Sequence, residues 1–220
     1  MHVTSKLVRE TKGLEPKAKV YIVPEGDVTE IDYFVGIKKY ADELKIKPLI
    51  EIIPIENDES QFGESHPLKK IENFHADVEN GVFLYEKDFD KVCMVVDRDK
   101  QSFHEEQYDV FLNKCDEYGY FPYISNPTFE VFLLMHDDAI LKLDRKKMLE
   151  NKRVNRGKRY TEIKLSEIFN CNKRRINFEE FKPKVANAIQ NEKLFCEDVY
   201  ELKNNLGSNV GVLLESIIEK

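Results

Sequence analysis

The stretch Lys91-Val92-Cys93-Met94-Val95-Val96-Asp97-Arg98-Asp99 predicts a buried strand that ends in two acidic residues. Residues 92 to 96 are largely apolar, which is typical of a strand covered on both faces. The carboxyl ends of parallel strands border the crevice in which α/β proteins bind their ligands. Two carboxylates at one such end repel each other unless a cation neutralises them. The stretch therefore predicts an α/β fold with a metal site at the edge of its sheet.

Strands alternate with helices through the first part of the chain. We predict strands at 19–23, 49–55, 91–96 and 121–124, helices at 67–79 and at about 105–118, and a further helix that begins near residue 27. This alternation indicates βαβ units with parallel strands and right-handed crossovers. Beyond residue 138 the pattern becomes helical and polar, and Pro183 obscures one helix boundary. We predict a flexible tail at 1–18, a Rossmann-like α/β domain with a four-strand, mainly parallel sheet at 19–138, and a helical C-terminal part at 139–220.

The composition is that of a soluble globular protein. Of the 220 residues, 41% are hydrophobic and 34% are charged, which argues against a disordered chain. No apolar stretch approaches the roughly 18 residues that a membrane helix needs, and the first residues lack the apolar core of a signal peptide. We therefore expect a cytoplasmic protein without a membrane partner. The four cysteines are widely spaced and are expected to be reduced core thiols.

A basic segment spans residues 142–159, although the chain as a whole has a net charge of −7. The segment holds nine Lys or Arg residues against two acids, a balance of +7, so the remaining residues carry −14. Such one-sided charge suits contact with nucleic-acid phosphates, although an ordinary solvated surface explains it about equally well. Nucleic-acid contacts are expected from Arg98, which follows the strand, and from five residues of the basic segment: Lys152, Arg153, Arg156, Lys158 and Arg159.

The acids at the predicted strand ends suit a magnesium ion. Mg²⁺ prefers oxygen ligands and needs only one or two carboxylates when substrate phosphate completes its coordination. Asp97 and Asp99 share a side if the strand continues that far, whereas Arg98 faces away from them or towards phosphate. Glu25 follows the first strand, and Gly26 allows the backbone to approach a ligand closely. A carboxylate at Glu25 can then serve as general acid or base.

The acids at the strand ends, and three further candidate residues at predicted helix ends, also have purely structural explanations. Asp commonly ends strands and begins turns, so an Asp-x-Asp alone is a weak signal. Glu30 can complete a capping box with Asp27, which we weigh slightly above direct catalysis. Glu130 lies in the first turn of a predicted helix, where an acid suits the helix dipole. His136 can be a hydrogen-bonded histidine at a helix end as readily as a functional one.

Three ordered motifs together resemble a known family. They are Glu25-Gly26-Asp27-Val28-Thr29-Glu30 with Tyr33-Phe34, Val96-Asp97-Arg98-Asp99, and Ser125-Asn126-Pro127-Thr128-Phe129-Glu130 continuing to His136. The first two resemble the Toprim domain of topoisomerases, primases and OLD-type nucleases. All three resemble the RloB family of prokaryotic defence-associated proteins, across roughly residues 19 to 138, with a weaker likeness at Asn209-Val210 and the final apolar helix. Phe132 and Asp137 depart from the family pattern, which has tryptophan and often an aromatic residue there, but neither is one of the acids.

The resemblance implies a Toprim-like fold with a nuclease site. In that site Glu25 acts as general acid or base, Asp97 and Asp99 hold Mg²⁺ or Mn²⁺, and Glu130 helps to bind a second metal beside them. It implies an endonuclease that hydrolyses phosphodiester bonds in DNA or tRNA. It also implies a role as effector of a phage-defence or abortive-infection system, with an ABC-type or AAA ATPase partner encoded nearby. A homodimer is left open.

Two other functions stay open from the sequence. The chain is consistent with a catalytically silent Toprim-fold module that docks on the ATPase or regulates it. Retention of three mutually repelling acids argues against that function. A nucleotide-transfer enzyme, as in the primases, ranks last because the sequence has no separate nucleotide-binding motif such as a P-loop.

Overall fold

A computed structural model describes residues 16–26, 28–55, 66–155, 157–169, 171 and 176–219, apart from the side chain of Asn155. The strands in these ranges are β1 (Ala18–Pro24), β2 (Ile50–Pro54), β3 (Lys91–Asp97), β4 (Phe121–Asn126), β5 (Arg153–Asn155), β6 (Lys158–Arg159) and β7 (Gly207–Ser208). The central sheet has the order β2-β1-β3-β4-β7. Its first four strands are parallel, and β7 pairs antiparallel with β4. Strands β5 and β6 form a separate antiparallel hairpin.

Helices connect these strands and form most of the C-terminal part. They are α1 (Thr29–Lys39), α2 (Pro67–Glu79), α3 (Glu105–Tyr118), α4 (Glu130–Leu134), α5 (Arg145–Glu150), α6 (Tyr160–Phe169), α7 (Phe178–Phe181), α8 (Val185–Glu192) and α9 (Val210–Ile217). Short 3₁₀ turns lie at Asp138–Lys142, Lys182–Lys184 and Glu201–Lys203. The predicted α/β class with a four-strand parallel sheet and a helical C-terminal part is confirmed, and β7 adds a fifth strand that the sequence pattern did not predict.

The alternation of side chains along the strands creates a core on each face of the sheet. Val20 and Ile22 of β1 face α1, α4 and the C-terminal helices. Tyr21 and Val23 face the other way, against α2 and α3. Successive residues of a strand point to opposite faces, so a fully buried strand needs apolar residues at every position. This requirement explains the continuous apolar runs of β1 and β3.

Local sequence signals set the helix ends close to their predicted positions. Helix α2 has Pro67 at its first position, and the His66 side chain accepts a hydrogen bond from the Leu68 N–H at 3.3 Å. Helix α3 ends at Gly119, whose φ of +73° is easily adopted only by glycine. Pro183 lies in the 3₁₀ turn that separates α7 from α8, which explains why the sequence left that boundary open.

The C-terminal helices share a core with the sheet. Leu165, Phe181 and Leu213 belong to the same buried cluster as Val20 of β1. The antiparallel strand β7 also extends the sheet itself, so residues beyond 138 complete the α/β layer. The division of the chain at residue 138 stays a prediction. The predicted tail at 1–18 and the capping role of Asp27 fall largely or wholly outside the described residues, and α1 begins after Val28 without a side-chain cap.

None of the helices in the described ranges is both long enough and apolar enough to cross a lipid bilayer.

His136 is part of the core and not of the acidic site. It is fully buried, and its ring lies between Tyr33 and Phe181. Its Nε2 lies 3.0 Å from the Tyr33 hydroxyl, and its Nδ1 lies 3.1 Å from the Leu133 carbonyl oxygen. These contacts assign the ring a neutral form that donates from Nδ1 and accepts at Nε2. Of the two explanations open from the sequence, the structure supports the hydrogen-bonded core histidine.

The buried imidazole predicts a loss of stability in acid. Burial lowers the pKa of His136 from 6.5 to about 4, despite its bonds to backbone carbonyls. Between these values the unfolded chain binds a proton that the folded protein does not, so stability falls as the pH falls. Each pH unit in this range costs about 1.4 kcal/mol, so the full range costs about 3 kcal/mol.

Urea unfolding of the wild type and of His136→Gln at a series of pH values from neutral to about 4 isolates this contribution, because all other titrating groups are common to both proteins. The wild type should lose about 3 kcal/mol more than the variant over this range. Equal losses in the two proteins would show that His136 takes up its proton in the folded state.

Candidate active site

Two acidic strand ends meet where the sheet reverses its strand order. From β1 the chain crosses to β2 on one side, whereas β3 leads to β4 on the other. The connections after β1 and β3 therefore diverge to opposite faces, and such a switch point leaves a crevice at the carboxyl edge of the sheet. Glu25 directly follows β1, and Asp97 is the last residue of β3. The fold thus brings both acids to the edge where α/β proteins bind ligands.

Backbone hydrogen bonds fix the positions of these two carboxylates. The Asp97 N–H donates to Glu25 Oε2 at 2.9 Å, which joins the ends of the neighbouring strands. The Phe129 N–H donates to Asp97 Oδ1 at 2.8 Å, so the segment after β4 also supports the site. Both acids are half-buried. Rigid placement of this kind is what a catalytic group requires.

Glu30 is a third acid of this cluster. It lies in the first turn of α1 and is only 7% exposed. The carboxylate of Glu30 lies where a Cβ atom on Gly26 would be, so Gly26 leaves room for this side chain beside the loop after β1. Glu30 also interacts electrostatically with both Glu25 and Asp97. The sequence interpretation of Glu30 favoured a cap, whereas the structure places its carboxylate among the acids.

Burial and crowding disfavour the negative charge of Glu25. Its pKa is raised to about 8, mainly because burial penalises the carboxylate. The neighbouring Glu30 and Asp99 raise this pKa further, whereas the Asp97 N–H and the ammonium of Lys70 lower it. Lys70, on α2, is 4% exposed and is therefore a buried cation next to the acids. The sequence interpretation missed Lys70; its only signal is a lysine within the buried stripe of α2.

The charge on Asp97 is disfavoured for the same reasons. Burial raises its pKa well above the ordinary value, and the nearby acids Glu30, Glu25 and Glu130 add to the rise. The hydrogen bond from the Phe129 N–H opposes it. Glu130 begins α4 and is 6% exposed. The structure thus brings Glu130 near Asp97, and its role in binding a second metal stays a prediction.

Asp99 is held by two bonds of its own. Its Oδ2 forms an ion pair with Arg159 Nη2 at 2.9 Å, and its Oδ1 accepts a hydrogen bond from the Gln101 N–H at 3.0 Å. Arg159 belongs to β6, so this ion pair ties the basic hairpin to the acidic loop. Both side chains are 21% exposed, so water and ligands can reach them. Asp99 can bind a metal only if Arg159 gives up part of this contact.

Arg98 points away from the two acids that flank it. Its guanidinium donates to the Phe103 carbonyl oxygen and lies 5.2 Å from the centre of the Tyr108 ring. Arg98 is 1% exposed. The prediction that Arg98 contacts nucleic acid is therefore wrong for this structure, because the alternation of the extended chain turns the side chain into the core on the α3 face. Arg98 instead anchors the loop that carries Asp99.

The other predicted nucleic-acid contacts lie around the hairpin of β5 and β6. Lys152, Arg153 and Lys158 are exposed, as phosphate contacts must be. Lys152 forms an ion pair with Glu150 at 2.9 Å. Arg156 lies outside the described residues. Because Arg159 reaches Asp99, the hairpin extends the positive charge of the basic segment up to the acids.

The donor atoms of the site fit a magnesium ion held by few protein ligands. Within the described ranges, no three His, Cys, Asp or Glu side chains form a group that is ready to hold a metal ion. Mg²⁺ does not need such a group, because it keeps several waters and commonly binds through one or two carboxylates and substrate phosphate. Glu25 and Asp97 each use one oxygen for a backbone N–H. Their second oxygens are hard ligands in a crowded anionic site that a cation would relieve.

Comparison with known proteins identifies the family of the chain. A family model described as RloB-like protein matches residues 20–217. The chain belongs to the RloB-like family. The match runs from β1 to the end of α9, so the family pattern includes the C-terminal helices as well as the acidic strand ends. Searches of curated proteins and of solved structures each found no match to this RloB-like chain.

Proposed function

We propose that this RloB-like protein is a metal-dependent endonuclease of the Toprim type, which hydrolyses phosphodiester bonds in DNA or tRNA. The observation that carries the proposal is the junction of Glu25 with the Asp97 N–H at 2.9 Å, at the switch point of the parallel sheet. Mutually repelling acids are costly to keep unless they serve a ligand or a reaction. The family match supports the same function.

Each residue has a role that follows from its position. Asp97 and Glu25, with Asp99 and Glu130 beside them, would hold Mg²⁺ or Mn²⁺. When bound, the ion neutralises the scissile phosphate and lowers the pKa of an attacking water. Glu25 transfers the proton, because its carboxylate is fixed on the strand end that faces the crevice. Arg159 and the exposed cations of the hairpin bind the phosphate backbone.

Membership of the RloB-like family supports a defence role in the cytoplasm. In this role an ABC-type ATPase, encoded nearby, detects phage and activates the nuclease.

Cleavage by the double variant Asp97→Ala with Asp99→Ala tests the proposal. We expect the wild-type chain, with its ATPase partner, to cut plasmid DNA or tRNA in Mg²⁺ or Mn²⁺ and to stop in EDTA. The double variant should lose at least about a thousandfold in rate, because it loses both the metal ligands and their charge. Cleavage by the double variant at the wild-type rate would refute the assignment.

The ion pair between Arg159 and Asp99 favours a second candidate function, a catalytically silent docking or regulatory module for the ATPase. In such a module the acids need not bind a metal, and Arg159 would neutralise Asp99 permanently. Calorimetric titration of Mg²⁺ and Mn²⁺ into the wild type and the double variant distinguishes the two functions. Heat of binding that the double variant loses supports the nuclease. Identical weak signals from both proteins support the module.

A further inference from the structure

A cleft of about 270 Å³ opens beside the acidic site and shares Asp99 with it. Its other walls come from the loop after β3, from the residues that follow β4 and α5, and from β6. The lining residues that matter here are Asp99, Lys100, Gln101, Pro127, Asn151 and Arg159. The cleft therefore borders the carboxyl edge of the sheet, and a nucleic-acid strand bound at the acids could extend into the cleft.

Asn151 lines the cleft and carries a hydrogen-bond donor without a partner in the described part of the chain. Its Oδ1 accepts hydrogen bonds from the N–H and the hydroxyl of Thr161, both at 3.0 Å, which fixes the orientation of the amide. Its Nδ2 is buried and has no partner in the described part of the chain, although the residue is only 3% exposed. A buried donor without a partner costs about 1–3 kcal/mol, and a ligand that accepts its hydrogen bond would remove this cost.

Two cations and two acids line the cleft, and each acid, Asp99 and Glu150, already has a cationic partner. Arg159 uses Nη2 for Asp99, and a guanidinium offers five N–H donors, so most of its donors remain for a ligand. Lys100 adds a second cation, whose ammonium lies 2.9 Å from Asn204 Oδ1. Glu150 also lines the cleft, but its carboxylate forms an ion pair with Lys152 at 2.9 Å. Arginine and amide N–H groups together suit phosphate oxygens.

We propose that this cleft binds a backbone phosphate of the nucleic-acid strand next to the phosphate that is cut. The inference rests on the proposed nuclease function. It assigns a binding site to the part of the substrate strand that extends beyond the acidic site. Arg159 is the main contact and Asn151 donates the second hydrogen bond, which together set the register of the strand at the acidic site. The ligand is a polynucleotide, since the cleft continues from the site where the strand is cut.

Binding of a strand in the absence of any metal tests this inference without cleavage. A fluorescein-labelled single strand of about twelve nucleotides, as DNA and as RNA of the same sequence, is titrated with the full-length chain in EDTA at several salt concentrations. Fluorescence anisotropy gives the affinity and its salt dependence. We expect Arg159→Gln to weaken binding about tenfold and to reduce the slope of log affinity against log salt by about 0.7, the value for one phosphate contact to a single strand.

Asn151→Asp is the second variant. The new carboxylate keeps an acceptor for Thr161 but replaces the free donor of the cleft with an anionic oxygen, so binding should weaken by about tenfold or more. Thermal unfolding shows whether Asn151→Asp is folded. If this variant does not fold, Arg159→Gln still tests the cleft. Lys45→Gln is the matched control for loss of charge, because Lys45 is exposed and precedes β2 at the opposite, amino edge of the sheet. It should bind as the wild type does.

The outcomes separate this inference from the nuclease proposal. If both cleft variants bind the strand more weakly and Lys45→Gln keeps the wild-type affinity, phosphate binding in the cleft is supported, whether or not the wild type cleaves nucleic acid. If both cleft variants are folded and bind with wild-type affinity, the inference about the cleft is wrong. The nuclease proposal is then tested by the cleavage assay alone. If AMP at about 1 mM displaces the strand from the wild type but not from Arg159→Gln, the cleft is a mononucleotide site and the inference is wrong.

Discussion

Replacing Asp97 with asparagine should abolish cleavage and at the same time raise the free energy of unfolding. The amide keeps an oxygen that can accept the hydrogen bond from the Phe129 N–H, so the local structure should survive. It removes the negative charge that would bind a metal, and we expect the cleavage rate to fall by at least about a thousandfold. This is the largest effect on activity that a single neutral replacement in the site should produce.

The gain in stability follows from the crowding of the acids. The charge on Asp97 is disfavoured by burial and by Glu30, Glu25 and Glu130. Folding raises the pKa of Asp97, so the folded state holds this proton more tightly than the unfolded chain does. The free energy of unfolding of the protein therefore falls as the pH rises above 3.8, the ordinary pKa of an aspartate. Asparagine does not have this cost. We expect a gain on the order of 1–2 kcal/mol at neutral pH in EDTA, as is common when a functional site is relieved of strain.

Asp90→Asn provides the matched control. Asp90 is also buried, but it lies just before β3 at the amino edge of the sheet and accepts hydrogen bonds from the Lys19 and Glu86 N–H groups at 2.7 and 3.0 Å. An amide there would turn its NH₂ towards one of these donors, so the variant should lose about 1–3 kcal/mol and still cleave. Urea unfolding and the cleavage assay measure both proteins. If Asp97→Asn is destabilised like Asp90→Asn, then Asp97 is a structural acid.

Replacing Gly207 with alanine should produce the largest loss of stability, at least about 3 kcal/mol. Gly207 lies in β7, and its backbone forms a bridge with Cys196. An added Cβ would overlap the carbonyl oxygen of Cys196 and crowd its backbone nitrogen. Backbone atoms cannot move aside like a flexible side chain, so β7 itself must shift. The buried hydrogen bond between Ser125 and Ser208, at 3.1 Å, would then be lost with the register of β7.

Gly81→Ala separates this clash from the general effect of adding a methyl group. Gly81 has a φ of +73°, but a Cβ there meets no atom within 4 Å. Its replacement should therefore cost only the backbone strain of about 1–2 kcal/mol. Denaturation in urea gives both free energies. Comparable losses in the two variants would mean that β7 adapts to the larger residue at no special cost.

The strands, the helix ends and the acidic strand ends were predictable because their signals are local. A fully buried strand needs an uninterrupted apolar run, and Lys91 to Asp97 contains one. Proline at a helix start and glycine after a helix end act within a few residues, so α2 and α3 were predicted at nearly their observed bounds. The two-residue period of extended chain also predicted that Arg98 and Asp99 diverge.

Contacts between distant parts of the chain were not predictable in the same way. The ion pair of Asp99 with Arg159 joins residues 60 positions apart, and the bond from Asp97 to Glu25 spans 72 positions. Glu30 was assigned to a cap because its neighbours in sequence suggest one, whereas its carboxylate lies beside Gly26 and among the acids. Strand β7 is only two residues long and carries no pattern of its own.

The sequence by itself determined the α/β class, the buried strands and the acids at two strand ends. These features depend on the spacing of apolar residues and on the residue types that follow each strand, which are properties of a few consecutive residues. Only the tertiary structure decided which acids meet, that Arg98 is buried, and that Arg159 and Asn151 form a cleft beside Asp99. The reason is that these contacts depend on the order of strands in the sheet and on the packing of the C-terminal helices, which bring together side chains from remote segments.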